Sequence, residues 1–313
     1  MSSTVPASVT VRAPAKVNLA LSVGPRRPDG FHELATVFHA VSLLDTVVAT
    51  EAPPGHGVSI TVEGDEVAAV PTDDSNLAWS AAELVATAMR RPCDVHLHLI
   101  KNIPVAGGMA GGSANAAAAL VACDALWGSS IGRQRLEALA GQLGSDVPFA
   151  LHGGTAIGRG RGEQITPALA RGEYHWVFAF ADWGLSTPDV YAECDRLRGE
   201  GQVPEPSIPD ELMSALRSGR ASAVGANLHN DLQAAALSLR PRLKLTLEAG
   251  QDAGALGVVI SGSGPTCAFL ARDDEHSIDV AVALSSSGSC RTVKRATGPV
   301  HGARIVDIVG APE

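Results

Sequence analysis

The stretch PVAGGMAGGSANAAAAL, Pro104 to Leu120, places Gly107, Gly108, Gly111 and Gly112 immediately ahead of an alanine-rich segment of helical character. A glycine loop that opens a helix leaves several backbone N–H groups bare at the positive end of the helix dipole, and the missing side chains let an anion come close. Such a turn suits a phosphate. Pro104 ends the preceding strand, while Ser113 stands ready either to cap the helix or to offer its hydroxyl to a metal ion. No Lys-Ser or Lys-Thr follows the glycines and the spacing is not G-x-G-x-x-G, so neither familiar nucleotide fingerprint applies. Taken alone, a glycine cluster is more often a flexible turn before a close-packed alanine helix. The rest of the chain has to decide.

With 313 residues, length favours two domains over one, and 45% hydrophobic against 18% charged residues describes a soluble globular chain. No apolar run approaches the roughly 18 residues of a membrane span, and the start MSSTVPASVT lacks both the basic and the apolar parts of a secretory signal, so a cytoplasmic location is expected. Lys plus Arg number 24 against 33 Asp plus Glu, a net charge of -9 that disfavours nucleic acid and anionic membranes as partners. An anionic ligand must therefore be held locally. Cys93, Cys123, Cys194, Cys267 and Cys290 are scattered with no C-x-x-C pair, which speaks against a disulfide framework or a zinc site. Lys16, Lys101, Lys244 and Lys294 are the only lysines, so each position carries more information than usual.

Along the chain, SVTVRAPAKVNLALSV alternates apolar and polar residues and reads as two short strands broken at Pro14. GVSITVEG and DVHLHLI repeat the alternation, and DDSNLAWSAAELVATAMRR opens on capping residues and continues at helical spacing. A glycine-rich, turn-prone segment, GSDVPFALHGGTAIGRGRGE, leads to the unbroken apolar run YHWVFAFAD, a buried strand. A helical stretch around Val190 to Leu197, two more helical stretches, and strands at LGVVIS, PTCAFLA, CRTVKRA and ARIVDI follow. Strands and helices mix without βαβ regularity, which favours α+β. The boundary is expected near Gly162 to Gly172, giving domains 1–165 and 166–313.

APAKVNLAL, PVAGGMAGGSANAA and SGSGPT, in that order, resemble the three signature motifs of the GHMP kinase superfamily. The N-terminal segment, DSNLAWSAAEL, LGSDVPFALHGGTAIGRGRGE and the Thr187-Pro188 segment extend the likeness over nearly the whole chain, to a branch whose acceptor is a cytidine-diphosphate polyol. That resemblance implies a two-domain fold with the active site in the interdomain cleft, and an ATP-dependent kinase phosphorylating a polyol hydroxyl in isoprenoid precursor synthesis. The loop departs from the family at Ala106 and Ala110, where glycine is common, but alanine also leaves the backbone accessible.

Residue by residue, the resemblance assigns Asp146 as the catalytic base, although an aspartate after Gly-Ser is more often a turn or N-cap residue. It assigns Lys16 as the partner that polarises the hydroxyl, against the alternative of a strand-end lysine facing solvent. Asn18, on the same strand face as Lys16, is the implied polyol contact. Phe31 would stack on the cytosine and His32 bond to its edge, with Tyr191 on the opposite side and Thr187 nearby. Asn76 and Lys101 are the implied nucleotide contacts beside the loop residues Pro104, Val105, Ala106, Gly107, Gly108, Met109, Ala110, Gly111, Gly112 and Ser113. Asn76 reads equally well as a cap. Mg²⁺ is implied, with Ser113 the one direct candidate ligand. His96 and His98 face one way on a strand, a spacing that a metal pair or a solvated face explains. Two other readings stay open: a related kinase acting on homoserine or mevalonate, for which Phe31 and His32 have no use, and a sensor without turnover, which needs no base. Either way the ligands are small molecules, and a monomer or weak homodimer is expected.

Overall fold

The computed structural model describes residues 6–105, 107–128, 131–199 and 201–310, so Ala106 lies outside the described residues. β1 (Pro6–Arg26) and β2 (His32–Glu51) form one long antiparallel hairpin. Pro14 does not break the strand as its sequence suggested: β1 runs through it, and the irregularity is a register shift between Pro14 and Ala15 against β2. Proline has no N–H for the ladder, and a strand that keeps one places it at a bulge. A second shift between Asn18 and Ala20 bends the hairpin where Lys16 and Asn18 sit.

β3 (Val58–Gly64), α1 (Leu77–Met89) and β4 (Val95–Lys101) precede the glycine loop. Beyond it lie α2 (Gly111–Leu126), α3 (Arg133–Leu143), the short α4 (Val147–His152), β5 (Thr155–Gly160), β6 (Gln164–Pro167) and β7 (Tyr174–Phe180). The helical region then comprises α5 (Thr187–Arg198), α6 (Asp210–Ser218), α7 (Ala221–Gly225), β8 (His229–Asn230), α8 (Gln233–Leu239) and α9 (Leu243–Asp252). The chain finishes with β9 (Gly257–Ile260), β10 (Cys267–Ala271), α10 (Asp274–Ser286), β11 (Thr292–Gly298) and β12 (Arg304–Gly310).

One sheet runs β12-β1-β2-β4-β3, with β5 also on β2, β6 on β5 and β8 beside β1; the other is β11-β7-β10-β9. The mixture is α+β, as the irregular alternation of elements implied. The sheets divide the chain between Pro167 and Tyr174, so β6 runs past residue 165, and β12 crosses back to border β1. A single cut in the chain does not separate them. The largest apolar cluster is also shared, running from Val9 and Leu97 to Trp176, Phe178 and Leu270.

Helix α2 lies at the centre of this core because its alanines, Ala114 and Ala116 to Ala119, let backbone approach backbone on every side. Buried between the two sheets, His39 of β2 shares a hydrogen bond of 2.9 Å with Thr155 and packs its ring against Tyr174 and Trp176 of β7. All five cysteines are free, and Cys123, Cys194 and Cys267 are buried. No helix among the described residues is long and apolar enough to cross a membrane.

Candidate active site

A cleft of about 660 Å³ opens between the bent β1–β2 hairpin, the glycine loop, the start of α4, the first turns of α5 and the turn joining β9 to β10. Lys16 and Asn18 reach it from β1. They face the same way because strand side chains alternate, and Lys16 Nζ donates to Asn18 Oδ1 at 2.6 Å. Asn18 Nδ2 in turn donates to Thr36 Oγ1 at 2.8 Å, and that hydroxyl donates to the Ala20 carbonyl at 2.7 Å. The chain of bonds fixes Asn18 with its amide oxygen on the lysine.

Asp146 stands at the N-cap of α4 but makes no side-chain capping bond, so its carboxylate is left for the cleft. Its Oδ2 lies 3.9 Å from Lys16 Nζ, with the lysine side chain 6% and the aspartate 32% exposed. Burial lowers the Lys16 pKa below the ordinary lysine value, and the charge of Asp146 opposes that shift. A solvent-facing lysine and a capping aspartate are both excluded by this geometry.

At the glycine loop, α2 begins from Ala110, whose φ of 60° places a non-glycine residue in the left-handed region. Ala110 therefore holds the N-cap position, which leaves Ser113 within the first turn, its hydroxyl unspent on capping and lining the cleft. Gly108 also lines it, and Met109 is buried in the core while its carbonyl accepts from Lys16 N at 3.2 Å. Gly107 and Gly108 lie on the β9–β10 turn: a Cβ at Gly108 would come 2.5 Å from Ser261 O, and one at Gly107 2.9 Å from Thr266 Oγ1. Asn230 holds that turn from below, donating to Ile260 O and Gly262 O, both at 2.7 Å.

Other nucleotide candidates serve the scaffold in this structure. Asn76 caps α1 by accepting from Ala78 N at 3.0 Å and donates to Pro71 O. Lys101 is buried in an ion pair with Asp45 and donates to Asn115 Oδ1 at 2.8 Å; the other Asp45 oxygen accepts from the Asn102 and Ile103 amides. Lys101 thus supports the root of the loop, close beneath Gly111. Gly112 faces Leu77, Val105 N donates to Glu66 at 2.9 Å, and Pro104 is buried beside it.

At the far end of the cleft, Phe31 is 52% exposed, with the Arg161 guanidinium 4.8 Å over its ring. His32 is buried; its ring lies 5.1 Å from that of Tyr191, the planes inclined by 31°. Burial raises the Tyr191 pKa, reinforced by Asp146, and keeps the phenol protonated. Thr187 shares a 2.9 Å hydrogen bond with Ser263. The structure therefore gathers Lys16, Asn18, Phe31, His32, Gly108, Ala110, Ser113, Asp146, Thr187 and Tyr191 around one cavity. His96 and His98 lie elsewhere, bonded to Ser59 and Thr61 of the neighbouring β3. Among the described residues no group of three or more His, Cys, Asp or Glu is arranged to hold a metal.

Arg26, Thr36, Arg161, Asp195 and the clamp Asn230 escaped sequence reasoning. Asp195 was within reach, since it follows Thr187 and Tyr191 at intervals of four on α5 and so shares their face. Arg161, between the left-handed glycines Gly160 and Gly162, carried a weaker signal: a cation held at the tip of a turn.

Residues 76–154 match the GHMP kinases N terminal domain and residues 212–290 the GHMP kinases C terminal domain. The chain belongs to the GHMP kinases. A 4-diphosphocytidyl-2-C-methyl-D-erythritol kinase of Rhodococcus jostii is 54% identical over 98% of this chain and 98% of its own length. One of Thermobifida fusca is 57% identical over 96% and 99%. A crystal structure of 4-(cytidine 5'-diphospho)-2C-methyl-D-erythritol kinase superposes with a TM-score of 0.73 at 34% identity, covering 92% of this chain and 98% of that one. Within the GHMP kinases, the chain belongs to the family of 4-diphosphocytidyl-2-C-methyl-D-erythritol kinases.

Proposed function

We propose that this chain transfers the γ-phosphoryl group of ATP to the 2-hydroxyl of 4-diphosphocytidyl-2-C-methyl-D-erythritol, a step in the non-mevalonate route to isoprenoid precursors. The observation that carries the reading is the Lys16–Asp146 pair, 3.9 Å apart, in the same cleft as Phe31 and His32. Asp146 accepts the proton of the 2-hydroxyl as its oxygen forms the new bond to phosphorus, and the bond to the bridging oxygen breaks to release ADP. Lys16 stabilises the negative charge that grows on the attacking oxygen. Asn18, held by Thr36, fixes the lysine and presents its amide to the polyol.

The bared N–H groups of the loop and the N-terminus of α2 face the phosphates of ATP. Mg²⁺ fits the residues present: it keeps several waters and binds chiefly through substrate phosphates, so it asks little of the protein, and Ser113 and Asp146 offer hard oxygen donors in the cleft. When bound it neutralises charge on the β and γ oxygens. Phe31 offers a flat face to the cytosine and His32 an edge contact. Arg26 and Arg161, which flank Phe31 without a carboxylate partner among the described residues, suit the diphosphate. We read the working form as a cytoplasmic monomer or weak homodimer.

The test is ADP release by the purified protein with MgATP, offered the cytidylated polyol, the same polyol phosphate without cytidine, homoserine or mevalonate. Turnover confined to the cytidylated compound is the expected result. Turnover with another acceptor overturns the substrate, and ATP binding without turnover on any acceptor overturns the kinase reading itself.

A further inference from the structure

Base recognition depends on which ring nitrogen of His32 carries a proton. Its Nε2 lies 2.8 Å from Asp195 Oδ1. A carboxylate accepts hydrogen bonds and donates none, so the proton in this contact sits on Nε2, and the neutral ring keeps a lone pair at Nδ1. Among the described residues Nδ1 has no hydrogen-bond partner, and His32, Tyr191 and Asp195 all border the cleft.

We infer that Asp195 fixes the His32 tautomer and thereby selects the base of the acceptor, favouring cytosine over uracil. The inference rests on the cytidine reading proposed above and deepens it. Cytosine carries an amino donor where uracil carries a carbonyl acceptor. A lone pair on Nδ1 accepts from the amino group but meets the uracil carbonyl as acceptor against acceptor, and a buried contact left unmade in this way is costly. Asp195 touches neither the reacting hydroxyl nor ATP in this scheme; it is a positioning residue. Its place on an exposed helix, with the side chain 37% accessible, makes its replacement tolerable to the fold.

The experiment compares kcat/KM for the cytidine and uridine forms of the same diphosphate-linked polyol in wild type, Asp195→Asn, Asp195→Leu and Asp195→Glu, together with KM for ATP. In the Asn and Leu variants the ring is free to carry its proton on Nδ1 and donate to the uracil carbonyl. The cytidine-to-uridine ratio then falls at least about tenfold, the range of one lost discriminating contact, and turnover of the uridine form rises in absolute terms. Misfolding produces no such gain. Asp195→Glu, which remains an acceptor, retains most of the preference, and KM for ATP stays constant throughout. An unchanged ratio in the Asn and Leu variants, or a proportional loss with both bases, overturns the role of Asp195 while the cytidine reading stands. A wild type that turns over both forms equally overturns the cytidine reading and this inference together.

Discussion

Lys16 holds its charge in a place that resists it. Because burial lowers its pKa, the ammonium loses its proton at a pH below that of an ordinary lysine. If the charge is needed in the transition state, kcat/KM falls on an alkaline limb below the ordinary lysine value of 10.5, and Lys16→Arg, charged throughout, lacks that limb. A limb at or above the ordinary value contradicts the role. Asp146→Asn should still bind both substrates yet lose about 10²- to 10⁴-fold in kcat, the usual contribution of a general base; equilibrium binding and single-turnover rates separate the two effects, and an unchanged kcat removes Asp146 from the mechanism. At this scale much was legible. Period-two alternation by itself put Lys16 and Asn18 on one face, whereas the freedom of Asp146 from capping, and the bond from His32 to Asp195 across 163 positions, are tertiary facts.

The glycine loop and the β9–β10 turn form a single unit built by contact between backbones. Gly108 has φ 73° and no room for a side chain against Ser261 O, so Gly108→Ala combines backbone strain with a steric clash. The expected loss is about 3 kcal/mol or more of stability, with a raised KM for ATP; denaturant unfolding and steady-state kinetics measure both, and a wild-type midpoint refutes the contact. Ala110 shows the milder case, a left-handed residue in a site with space for its methyl group. The loop and helix α2 were readable because glycine and alanine act locally. The course of β1 through Pro14 was not, since a bulge is defined by the partner strand, and neither was the resolution of GSDVPFALHGGTAIGRGRGE into α4, β5 and β6, elements too short to show a period.

Across the whole molecule the two sheets meet at His39, where burial pushes the imidazole pKa down to about 3 from 6.5. The unfolded chain takes up a proton there as pH falls through 6.5, and the folded chain does so only near 3, so the fold loses stability as pH drops through that interval. At roughly 1.4 kcal/mol per unit the total is about 5 kcal/mol. His39→Gln should flatten the dependence of unfolding free energy on pH between these limits, measured by denaturant titration, and an unaltered slope clears His39 of the effect. The irregular order of strand and helix patterns anticipated an α+β chain, but the assignment of strands to sheets was hidden: ARIVDI reads as a strand from its own residues, and nothing in it says that it borders β1 rather than the sheet formed just before it.

That last pairing bears on how the protein is made. The earliest of the described strands, β1, has its outer edge closed by the latest, β12, Val9 beside Ile308 and Val11 beside Ile305. At ordinary elongation rates the nascent chain carries a long, apolar, half-paired edge for roughly tens of seconds, the kind of surface on which neighbouring chains join edge to edge. Edge-to-edge joining is therefore a hazard of the growing chain, which the finished fold, with β12 in place along β1, no longer carries.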